Sequence, residues 1–116
     1  MKRAALLAAA LFCVAQANAE SRFGVEVYPA AKADAAVTKS LNKQLRGDKA
    51  AAYRTSDSVS KVADFYRKRP LKEESGTSKE GAMFSGKGVM VTVQNPWMDM
   101  DSGKVMQDTL ISIVKK

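Results

Sequence analysis

The chain has 116 residues, 19 Lys and Arg against 12 Asp and Glu, no histidine and a single cysteine. A chain of this length is expected to fold as one domain around one modest core. Without histidine it lacks the commonest general base and metal ligand, which leaves any catalysis to carboxylates, lysines, tyrosines and serines.

The first twenty residues, MKRAALLAAALFCVAQANAE, combine Lys2 and Arg3 with an apolar run from Ala4 to Ala15 and the small-x-small triplet Ala17-Asn18-Ala19. This is the pattern of a secretory signal peptide over 1–19, and the run is too short to cross a bilayer as a helix, which takes about 20 residues. Phe12 before Cys13 is too bulky for a lipoprotein processing site, so cleavage after Ala19 is expected and 97 residues remain as one globular domain, 20–116. Localisation follows as periplasmic or secreted, with no transmembrane segment in the mature chain. Cys13 leaves with the signal, so the mature domain is cysteine-free and must stand on its core without disulfides.

Past the signal the balance is +5, spread along the chain from Lys32 to Lys116. Dispersed charge of this kind solvates a surface, whereas nucleic-acid binding wants a basic stripe with interleaved aromatics. No nucleic-acid partner is expected.

FGVEVYPAA alternates Phe23, Val25 and Val27 with polar or small residues and stops at Pro29, which predicts a short first strand. Ala33, Ala36, Val37, Leu41 and Leu45 then recur at three- and four-residue intervals before Gly47, predicting a helix over roughly 34–45 that lies as a lid on the domain surface. AAAYRT reads as a second strand. Thr55-Ser56-Asp57-Ser58 supplies several N-cap oxygens for a helix over 57–69, with Val59, Val62, Ala63 and Tyr66 on one face, Phe65 beside them and Pro70 at its end. The free amides of that helix start could in principle take an anion, but Asp57 already places a negative charge there, so capping is the reading adopted.

From residue 71 the period becomes two, with turns at Gly76-Thr77-Ser78 and Ser85-Gly86-Lys87-Gly88, as in an antiparallel meander. The last hairpin can be placed by register. A three-residue loop Asp101-Ser102-Gly103, with Gly103 in the left-handed conformation, pairs Met100 with Lys104 and Met98 with Met106. It also sets Val93 opposite Ile111 and Val91 opposite Ile113, which makes one face a continuous apolar ladder. Within it, NPWMDMDSGKVM holds the only tryptophan. Trp97, Met98, Met100 and Met106 are either core or an exposed contact patch, and they are the candidate partner-contact residues. Asp99-x-Asp101 suggests calcium, but a calcium loop begun at Asp99 would need Gly and Glu where Lys104 and Leu110 stand, so the acids are read as turn formers. No nucleophile elbow, phosphate loop or dinucleotide fingerprint is present, and no catalytic, cofactor-binding or metal-binding residues are assigned.

The segments VEVYPAAK, AAYRTSDSVSKVADFYRK and VTVQNPWMDMDSGKVMQDTLISIVK resemble a group of small exported bacterial proteins of unassigned function. These share a Tyr-Pro-Gly/Ala-Ala turn and a T-x-D-S-x-x-x-V-x-x-F-Y strand-to-helix segment. Ala30 stands here where those proteins often have Gly. The resemblance covers most of the mature chain through structural motifs and implies no catalytic residues.

The expectation is therefore an α+β fold: a mainly antiparallel sheet of four to six strands with two helices packed on one face. The expected function is a non-enzymatic exported module that binds a small ligand or a protein partner. A small hydrolase-like enzyme using carboxylates and an envelope protein acting as a homodimer are the alternatives.

Overall fold

In the computed structural model, which describes residues 20–74 and 76–116, the period-two half of the chain builds an antiparallel sheet. The signal segment expected over 1–19 lies outside the described residues. Among the described residues twelve elements follow in chain order: β1 (Ser21–Arg22), β2 (Val25–Glu26), β3 (Lys32–Ala33), α1 (Ala35–Gln44), β4 (Lys49–Thr55), α2 (Val59–Arg67), β5 (Lys72–Glu73), β6 (Gly81–Gly86), β7 (Val89–Gln94), β8 (Trp97–Met98), β9 (Val105–Met106) and β10 (Thr109–Lys115). Six of the strands form the main sheet in the order β3-β4-β10-β7-β6-β5, while β1-β2 and β8-β9 are separate two-stranded ribbons. This is the α+β class read from the sequence.

β10 lies inside the sheet, paired to β4 on one side and β7 on the other. Ile111 sits opposite both Tyr53 and Val93, and Ile113 opposite both Ala51 and Val91; the pairings with Val93 and Val91 are those expected from the sequence. These residues share a face with Ala82 and Phe84 and meet Val59, Val62, Ala63 and Tyr66 of α2 in the main core. The helix start is Ser58, whose side chain accepts from the Lys61 amide. Asp57, just before it, accepts a hydrogen bond from the Tyr28 hydroxyl at 2.5 Å. Burial and the neighbouring carboxylate push that hydroxyl up to about 12. Tyr66, buried on α2, donates to the Glu26 carbonyl and accepts from the Tyr28 amide, so the N-terminal segment is tied to the core by two phenols.

The sequence had suggested two helices on one face; both pack against the sheet, but from opposite sides. α1 lies along the outer edge of β4, where its Val37 and Leu41 meet Ala52, Leu110 and Trp97 in a second cluster. Ala52 and Leu110 alternate with Ala51, Tyr53 and Ile111, so this cluster is on the side of the sheet away from α2. What holds α1 there is backbone chemistry. The Ala52 amide donates to Thr38 Oγ1 at 2.8 Å and its carbonyl accepts from the Asp34 amide at 2.9 Å. One turn further along, Asn42 accepts from the Ala50 amide at 2.8 Å and donates to the Ala50 carbonyl at 3.0 Å. Thr38 and Asn42, spaced i and i+4, thus stand in for a missing strand.

The first strand is also shorter than its alternating pattern implied. Phe23 and Gly24 form the turn between β1 and β2, both with positive φ, 55° and 81°. That mirror-type turn matches the strand twist, but phenylalanine seldom adopts it, and apolar alternation concealed it.

The two sides of α2 make a direct test. Val62 is fully buried, whereas the Lys61 side chain is mostly exposed with only a long i,i+4 contact to Asp57 at 3.9 Å. Val62→Asp is expected to destabilise by several kcal/mol through a buried, unpaired charge, and Lys61→Asp by less than about 1 kcal/mol. Urea denaturation of both variants checks this, and equal losses would show that the helix face is wrongly assigned.

Candidate contact site at the last hairpin

β8 and β9 continue the β7–β10 hairpin beyond a break. Pro96 has no amide to donate, and the ladder stops beside it. Between the Gln94–Leu110 pair and the Trp97–Met106 pair lie two residues on one strand and three on the other. The extra residue shifts the register by one, so Met98 faces Val105 and not Met106. The expected pairing of Met100 with Lys104 shifts too: the Asp99 amide donates to the Lys104 carbonyl at 2.9 Å. The loop therefore runs over the four residues Met100 to Gly103, closed by the Gly103 amide on the Asp99 carbonyl at 2.7 Å. Gly103 has φ +74°, the left-handed conformation anticipated for it. Asp99 acts as the turn former, its Oδ1 accepting from the Asp101 amide at 3.0 Å.

This shift divides the four candidate residues. Trp97 and Met106, directly opposed, face inward: Trp97 is 5 % exposed in the second cluster, with Met106 half-buried against it. Met98 and Met100 are 56 % and 60 % exposed, and Val105, not among the residues expected at the contact, is 54 % exposed opposite Met98. The outer face and tip of the hairpin thus carry three large apolar side chains in solvent, flanked by Asp99, Asp101 and Lys104.

The hairpin is anchored from below by a charged cluster. Arg54 Nε donates to Asp108 at 2.8 Å and Nη1 to Asp34 at 3.2 Å, while its guanidinium carbon lies 5.0 Å from the Trp97 ring centroid. Trp97 Nε1 donates to the other oxygen of Asp108 at 3.0 Å. Asp34 is at the same time the N-cap of α1, accepting from the Val37 amide at 2.9 Å. That amide and the Arg54 guanidinium hold its carboxyl below the usual carboxylate range. The cluster joins α1, β4 and the hairpin. A signal for it existed in the sequence: Arg54 is a charged residue between two positions of a strand that both become buried, Tyr53 and Thr55, and so required partners on the opposite face.

Among the described residues no group of three or more His, Cys, Asp or Glu side chains is placed to hold a metal ion. Asp34, Asp57, Asp108, Glu26 and Glu73 are each engaged in ion pairs or hydrogen bonds, and the carboxyls of Asp34 and Glu73 are held low, opposite to what a general acid needs. Comparison with protein-family models, curated proteins and solved structures returned no match.

Two outcomes follow from this geometry. Gly103→Val is expected to cost about 1–3 kcal/mol because it forces a β-branched residue to positive φ, whereas Asp99→Asn, which keeps the turn acceptor, should leave the melting temperature nearly unchanged. For Asp34 the folded pKa is depressed, so its contribution is present above the unfolded value of about 3.9 and is lost as pH falls through that region. Asp34→Asn keeps a capping side chain and removes the charge. Chemical denaturation should find this variant less stable than the parent at pH 7 and converging with it near pH 2, and a constant difference across that range would rule out the charge as the cause.

Proposed function

We propose that the protein is an exported, non-enzymatic contact module that engages a protein partner through the outer face and tip of the β8–β9 hairpin. The observation that carries this reading is the exposure of Met98, Met100 and Val105 on a hairpin whose opposite face is fixed in the core by Trp97. Adaptable methionine side chains on a pinned ribbon suit docking into an apolar socket, and Asp99 and Asp101 beside them favour a socket edged by cations. Three side chains fall well short of the roughly 800 Å² per partner of a standard stable interface, which disfavours a homodimer built on this patch alone and favours insertion of the tip into a concave partner. No described helix is long and apolar enough to cross a membrane. Export rests on the signal-like segment 1–19 and on the resemblance to small exported bacterial proteins.

The test is photocrosslinking in the exporting cell from a probe at position 104, beside the patch, with intact-mass analysis of the mature chain. A mature form beginning at Glu20 and one discrete adduct are expected. The adduct should disappear in the Met98→Ser, Met100→Ser double variant while its melting temperature stays close to the parent's. Adduct formation unaffected by the double substitution, or a main species retaining Met1, would overturn the reading.

A further inference from the structure

A cavity of about 210 Å³ opens at the other end of the molecule, where the β1–β2 turn, the segment after α2 and the β6–β7 turn converge. Its apolar wall is Val25, Pro70 and Leu71, and its polar wall is Glu26, Arg69 and Lys87. The wall is firm: at Gly86 an added Cβ would come within 3.2 Å of Leu71 Cδ2 and 3.4 Å of the Pro70 carbonyl, so the end of β6 is pressed against it.

Arg69 is held in one orientation. Its guanidinium stacks on Phe65, with 3.7 Å from Cζ to the ring centroid, and it pairs with Glu26 through Nε at 3.0 Å and Nη2 at 3.3 Å. Nε is buried against Glu26, and Nη1 makes no hydrogen bond or ion pair among the described residues. Lys87 is exposed at the tip of its turn, with φ +57° at Lys87 and +74° at Gly88, and it forms no ion pair among the described residues. Arg69 and Lys87 against Glu26 leave the lining with one net positive charge.

We infer that this cavity binds a small monocarboxylate, its charged end between Lys87 and the free edge of Arg69 and its short apolar end against Val25, Pro70 and Leu71. One negative charge offsets the one positive charge of the lining, and a planar carboxylate suits a guanidinium fixed by stacking. The volume lies below the roughly 300 Å³ at which drug-sized ligand sites begin, which restricts the occupant to a short acid. The site is separate from the hairpin contact and does not depend on it.

The probe is sodium butanoate titrated into the isotopically labelled mature protein, followed by amide chemical shifts. Saturable shifts are expected at Gly24, Val25, Leu71 and Lys87. Lys87→Asn removes the cation while keeping a residue type that tolerates positive φ, and it should weaken binding about tenfold or more. Lys104→Gln, on the hairpin, should bind as the parent does. Sodium chloride at equal ionic strength and butylammonium chloride should leave the four amides unmoved. Matching shifts with either salt, undiminished binding in Lys87→Asn, or no saturable shift with butanoate would each overturn the site.

Discussion

The outer edge of β4 is the constraint around which the architecture is arranged. A strand edge presents a row of amides and carbonyls that must be paired, covered or left as a template for aggregation. β3 covers only the Tyr53–Arg54 end of that row. The remainder is satisfied by Asp34, Thr38 and Asn42 of the α1 segment, with side chains supplying most of the pairing. The alanines of β4 acquire a reason: a helix can approach an edge this closely only where the facing side chains are small. Ala50 and Ala52 are both buried beneath it. At the opposite border β5 is only two residues long, so neither border offers a long bare strand.

From this arrangement the position of the hairpin follows. With α1 committed to the β4 edge, its apolar stripe reaches Leu110 and Trp97 on the far side of the sheet, and Asp34 at its start reaches Arg54. Arg54 in turn joins Asp108, which receives the Trp97 indole. The chain of contacts runs from a helix cap through a guanidinium to an aromatic ring. Each carboxylate also accepts from a neutral N–H, so neither depends on the arginine alone. Half-exposed ion pairs contribute little individually, but a shared arginine between two fixed carboxylates supplies orientation, and orientation is what the exposed face of β8–β9 inherits.

Much of this was legible in the residues. The register of β7 against β10 followed from matching apolar positions around a glycine turn, because a one-residue error would have turned every valine to the wrong side. The buried face of α2 followed from spacing and capping. Three features were not legible, each for a definite reason. The one-residue shift at Pro96 depends on which strand absorbs the extra residue, and both strands there are polar enough to permit either choice. The Phe23–Gly24 turn places an aromatic in a conformation it rarely adopts, so the alternation of Phe23, Val25 and Val27 pointed to a longer strand. The location of α1 was hidden because the residues that fix it, Thr38 and Asn42, are polar and lie outside the apolar stripe that a periodicity argument follows. The same shift decided the candidate site, since it turned Met106 inward and brought Val105 out.

The break beside Pro96 has a consequence for how the molecule can vary. Two ladders out of phase by one residue cannot transmit pairing errors to each other, so the ribbon beyond the break is a semi-independent module grafted onto a finished sheet. Its inner pair, Trp97 and Met106, records the attachment, while the residues facing outward contribute nothing to the register of β7 and β10. Local opening of such a ribbon can occur well below the free energy of global unfolding, which lets the tip change shape while the body stays folded. In evolutionary terms the outward residues of the tip can be exchanged in small steps, since the tolerance of the scaffold is set elsewhere.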